Sequence, residues 1–170
     1  MNAHDILKYG DLTLLHTLDG VPQTEWEVPD VCGVWSVKDI VAHLTSFELA
    51  LIEVLNLFLG GGPTPLLEQW GSDGQAFNDV QVAARTGRSS AEVLAEYQDA
   101  HAQVMDLIMQ IDPEVCREVG TMPWYGPEYA LDDFLVYTFY GHKREHSAQV
   151  NVFRDLLINT GRLIPDEHGG

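Results

Sequence analysis

The chain has 170 residues, 45% of them hydrophobic, which suits one domain with a sizeable core and is too little for two with separate cores. Nine basic against 26 acidic residues leave a formal net charge of -17, a field that repels phosphate backbones and anionic lipid and so argues against nucleic acid and membrane surfaces as partners. The two cysteines form no framework or C-x-x-C pair, no basic leader precedes an apolar stretch, and no apolar run approaches the roughly 18 residues of a membrane span; a reduced, cytoplasmic protein is expected.

Apolar residues from Ala3 to Leu18 recur in a three-four rhythm and predict a first amphipathic helix, ended by Gly20 and Pro22. Residues 21–35 lack a sustained period and read as a loop. Ser36 and Asp39 have the spacing of a capping box, and the run from Val37 to Phe58 predicts a second helix stopped at Gly60-Gly61-Gly62-Pro63. Between 61 and 88 a short helix over Gln75 to Ala84 is expected, after a turn at Gly71 to Gly74. Ser89 and Glu92 form another capping box, opening a third helix with Tyr97, Val104, Ile108 and Ile111 inward, and Pro113 lies past its end. A last helix is predicted from about Leu131 to Ile158, with Leu131, Phe134, Leu135, Phe153, Leu156 and Leu157 inward and Gly141 weakening its middle by about 1 kcal/mol.

Four amphipathic helices and no alternating strand pattern predict an all-α four-helix bundle with a long, partly helical connection between the second and third main helices. A single domain is expected over residues 1–162, with 163–170 as a flexible tail.

His142 and His146 stand four apart and so share one helix face. The inward stripe through Leu131, Leu135 and Thr138 leads to them, and His43 continues the inward face of Ile40, Phe47 and Leu51 on the second helix. Three imidazoles converging from two helices would suit one divalent ion, zinc, nickel or iron, with an open coordination position; the alternative is three hydrogen-bonded core histidines. Asp39 either caps its helix or accepts the second ring proton of His43, and Glu145 flanks the pair as possible outer support. His101 reads as a hydrogen-bonded core or boundary residue. The run from His142 to His146 formally fits H-x-x-E-H, but no protease framework accompanies it. Trp124 and Tyr125 are candidate walls of a substrate pocket, with packing as the alternative.

The run Trp35-Ser36-Val37-Lys38-Asp39-Ile40-Val41-Ala42-His43-Leu44, taken with His142-Lys143-Arg144-Glu145-His146-Ser147-Ala148-Gln149-Val150, resembles the DinB-like superfamily of four-helix proteins. The helical order extends the resemblance over residues 3–158. It implies that His43, His142 and His146 form a metal triad. It also implies metal activation of a low-molecular-weight thiol for transfer or isomerisation of a small-molecule substrate, or of water for hydrolysis, with a noncatalytic binder as the remaining class. A homodimer is a further implication. Phe77-Asn78, the preceding glycines and Pro123-Trp124-Tyr125 resemble the ClbS/DfsB-like branch, some members of which lack the triad this chain retains.

Overall fold

The structure, a computed structural model, describes residues 2–164. The main helices are α1 (Ala3–Asp19), α2 (Val37–Phe58), α5 (Ser90–Ile108) and a composite last helix made of α7 (Leu131–Phe134), a π-helical stretch (Leu135–Tyr140) and α8 (Gly141–Asn159). Shorter helices α3 (Pro65–Ser72), α4 (Gly74–Ala83) and α6 (Pro113–Arg117) decorate the connections. No strand occurs among the described residues, and the architecture is the all-α bundle with a helical α2–α5 connection that the periodicity predicts. Residues 165–170, most of the expected tail, lie outside the described residues.

Local chemistry sets the helix starts. Ser36 and Asp39 exchange side-chain and backbone hydrogen bonds at the head of α2, and Ser89 and Glu92 do the same for α5. Both predicted capping boxes are formed, each satisfying amide donors that a helix start leaves without partners. At the far end of α2, Gly60 and Gly61 adopt φ of 122° and 90°, the left-handed region where only glycine escapes a steric penalty.

The connection departs from expectation. Gly71 lies inside α3, and the break falls at Asp73, whose Oδ1 accepts from the amide of Ala76 and so caps α4. Pro65 opens α3 at a position whose amide would have no helical partner. Helix α6 was not expected; it too opens on a proline and is capped by Asp112. Residues 23–25 form a single 3-10 turn inside the predicted loop.

Helix α2 packs along α5, while α1 packs along the composite last helix. Contrary to the sequence expectation, Val37–Phe58 is long and apolar enough to cross a membrane by length and composition. Its apolar window is 72% buried in the bundle, which is how a central core helix satisfies the same test.

The apolar interior forms two clusters. One gathers Ile6, Leu7, Phe47, Leu51, Val104, Phe134 and Phe139; the other gathers Leu14, Leu18, Val41, Leu44, Tyr97, Val150 and Phe153. Each main helix contributes to both, and near the junction of the two clusters each carries polar side chains: Asp11 on α1, His43 and Ser46 on α2, His101 on α5, Lys143 and His146 on α8. A polar layer thus crosses the bundle at mid-height.

The π-helical stretch aims the last helix into that layer. The amide of Gly141 donates to the carbonyl of Val136, five residues back, and this wider turn delays the rotation of every side chain that follows. The core stripe accordingly runs through Leu131, Leu135, Phe139, Lys143, Ser147 and Val150. Thr138 and His142 stand at its edge, and Leu156, expected inward, is 56% exposed. Gly141 has a steric role here, since a Cβ would lie 3.3 Å from the Val136 carbonyl oxygen.

Candidate metal centre

His43 lies in the second turn of α2, behind the capping box. Asp39 serves that box: its Oδ2 accepts from the Ser36 amide at 3.0 Å and from the Ser36 hydroxyl at 2.8 Å. Of the two readings of Asp39, the cap is the one formed, and no hydrogen bond joins it to His43. The Nδ1 of His43 is buried with no hydrogen-bond partner, so aromatic packing orients this ring. Trp35 and Phe47 each lie 4.8 Å from it between centroids.

The structure brings His43, His142 and His146 together, with one candidate ligand atom from each within 4.8 Å of the others. The Nε2 of His142 is 2.9 Å from that of His43 and 3.0 Å from that of His146. Nitrogens bound about 2.0–2.1 Å from one ion at angles between right and tetrahedral stand about 2.8–3.4 Å apart, so two of the separations are those of ligands sharing an ion. On the far side of His146, Gln149 Oε1 lies 2.8 Å from Nδ1. A proton on Nδ1 donating there leaves the Nε2 lone pair facing the other two rings.

Electrostatics keeps the cluster neutral. Burial, then the neighbouring imidazoles, lower His43 to about 3. Burial, then His146 and Lys143, lower His142 to about 3 as well. His146 is lowered by burial against the opposing pull of Gln149 and Glu145. A metal takes imidazole only in its neutral form, so the donor set fits a divalent ion in the state in which folding holds it.

His142 is the least enclosed of the three and lines a cavity of about 510 Å³ with Phe47, Tyr137, Thr138, Gly141 and Glu145. Glu145 is exposed at its edge and makes no hydrogen bond to the histidines. Trp124 and Tyr125 face elsewhere. They line a second cavity of about 480 Å³ with Trp70, Phe134, Thr64 and Glu68, and the Trp70 and Phe47 rings, 4.8 Å apart, stand between it and His142.

Behind the triad lies a set of charges the sequence reading missed. Glu48 is fully buried, with Oε1 2.8 Å from Lys143 Nζ and Oε2 2.8 Å from His101 Nδ1. His101 Nε2 is 3.7 Å from Asp11 Oδ2, and the Tyr97 hydroxyl donates to Asp11 Oδ1 at 2.8 Å. Burial pushes the Glu48 carboxyl up, but Lys143 and the hydrogen bond with His101 outweigh it and hold it at about 2. His101 is the hydrogen-bonded core residue its position predicts. Lysine and glutamate are the residues least expected in a core, and the available hint was the position of Lys143 between two inward histidines.

No curated protein and no solved structure matches the chain. A family model described as the DinB superfamily matches residues 12–150, a span that holds α2, all three clustered histidines and the Glu48–Lys143 pair, and on that match the chain belongs to the DinB superfamily.

Proposed function

We propose that the protein binds one divalent metal ion, zinc, nickel or iron, through His43, His142 and His146, and acts as a metal-dependent enzyme on a small molecule with a low-molecular-weight thiol as cosubstrate. The observation that carries this reading is the convergence of three neutral imidazoles beside an open cavity. When bound, the ion supplies Lewis acidity that lowers the pKa of a thiol or water and polarises an electrophile. The chain's residues do the rest. Gln149 holds His146 in the tautomer that offers Nε2, Trp35 and Phe47 pack against His43, and the open cavity beside His142 gives a small molecule access to the site. Thiol-dependent transfer or isomerisation is the first reading, supported by the sequence resemblance.

Hydrolysis is the second reading, favoured by Glu145, a carboxylate at the edge of the same cavity where it can accept a proton from an attacking water. We extend the proposal to a cytoplasmic homodimer of the ClbS/DfsB-like branch. The support is the free thiols of Cys32 and Cys116 and the sequence resemblance described above.

Metal content measured on the wild type and on His43→Ala, His142→Ala and His146→Ala is expected to show one equivalent in the first and loss in each variant; unchanged stoichiometry in all three rejects the site. Mass spectrometry of the metal-loaded protein with varied electrophiles, with and without small thiols, separates the reactions. Thiol-dependent product that vanishes in His142→Ala supports transfer, product at the same rate without thiol moves the assignment to hydrolysis, and retention of ligand without turnover indicates a binder.

A further inference from the structure

The cavity lined by Trp124 and Tyr125 is walled by four aromatic rings. Tyr125 and Phe134 lie 4.8 Å apart at 70°, Trp124 and Phe134 5.5 Å apart at 85°, and Trp70 and Phe134 6.4 Å apart at 33°. All four rings border one space of about 480 Å³. Only one charged side chain lines it, Glu68, whose Oε1 accepts from the Thr64 hydroxyl at 3.1 Å. No lysine, arginine or histidine is among the lining residues.

The walls are held in place before any ligand arrives. Trp70 is fixed by Phe47 at 4.8 Å and by stacking on Phe77, and Phe134 is fully buried as the floor. Helix α3 is anchored to α2 by Glu53, whose carboxylate accepts from the amides of Leu66 and Leu67 at 3.2 and 2.9 Å. Trp124 is 48% exposed, so packing within the chain leaves much of its ring uncovered.

Ring faces carry the negative part of the aromatic quadrupole and attract cations, most strongly where water is excluded. A carboxylate at the rim and a protein of net charge -17 add attraction of the same sign. We infer that this aromatic cavity is a binding site for a small organic cation of the quaternary or alkylated ammonium class, with the rings of Trp70, Trp124 and Tyr125 around the cationic head and Glu68 as its counter-charge. The site uses none of the three clustered histidines and stands whether or not they hold a metal.

Isothermal titration with choline and with its uncharged carbon isostere, 3,3-dimethylbutan-1-ol, isolates the charge, because the two have nearly the same shape and the same hydroxyl. Choline is expected to bind about tenfold more tightly, the scale of one or two ring contacts to a desolvated cation. Glu68→Gln and Trp124→Leu, both at exposed positions, should each weaken choline by about three- to tenfold while leaving the helical circular dichroism unchanged. His142→Ala should bind choline as the wild type does. Equal affinity for the two compounds, no detectable binding of choline, or loss of choline binding in His142→Ala would each overturn the assignment. The last result would place the cation at the histidines, and metal analysis of the same variant reports separately on that centre.

Discussion

At His43 and His142 the ring that would bind a metal is kept neutral by loss of water and by its neighbours, which hold both near 3, whereas an unfolded histidine titrates at about 6.5. As pH falls below 6.5 the unfolded chain therefore takes up protons that the folded chain refuses, and stability falls toward pH 3. The limiting slope is about 1.4 kcal/mol per pH unit for each such group. Urea titrations of metal-free protein between pH 7 and 4.5 are expected to show the wild type losing stability faster than His142→Gln, by about 1 kcal/mol per pH unit. Taking the difference removes the contribution of the surface carboxylates common to both proteins. Parallel pH profiles would mean that His142 ionises as freely in the fold as in the unfolded chain.

Between elements, the Glu48–Lys143 ion pair joins α2 to α8 directly behind the triad. Glu48 is five residues beyond His43 and Lys143 immediately follows His142, so the pair fixes the relative rotation of the two helices that carry the ligands. Removing Lys143 leaves the buried Glu48 carboxylate with His101 as its one remaining partner among the described residues. Lys143→Met is expected to cost about 3–5 kcal/mol in urea denaturation, while Glu48→Leu combined with Lys143→Met, which removes both charges, should cost much less. Equal losses in the single and double variants would assign the effect to packing of the lysine stem.

For the whole molecule, two apolar clusters supply the drive to fold, with about 1.5–3 kcal/mol for each fully buried Leu or Phe, and a net charge of -17 opposes compaction. Raising sodium chloride from 0.01 to 0.2 M shortens the screening length from about 30 Å to under 10 Å. Thermal unfolding is expected to shift upward by several degrees, since each kcal/mol is worth about 2–4 °C at this size. An unchanged or lower Tm would show that the acidic residues are already neutralised by local pairing.

Helix content, both capping boxes, the glycine stop after α2 and the inward placement of His43 and His146 were legible from spacing alone, because caps and amphipathic stripes are interactions within a few residues of chain. The meeting of the histidines required the packed bundle, since it depends on the rotation of α2 against α8 across a separation of 99 residues. Asp39 had two readings in sequence because one carboxylate four residues before a histidine can serve a cap or a ring; in the fold it serves Ser36. Trp124 and Tyr125 read as walls of the histidine pocket, and tertiary packing put Trp70 and Phe47 in the way. Glu48 and Lys143 were invisible as a pair because burial of opposite charges is rewarded only when two helices bring them together, and the π-helical turn that points Lys143 inward breaks the 3.6-residue period on which sequence reading depends.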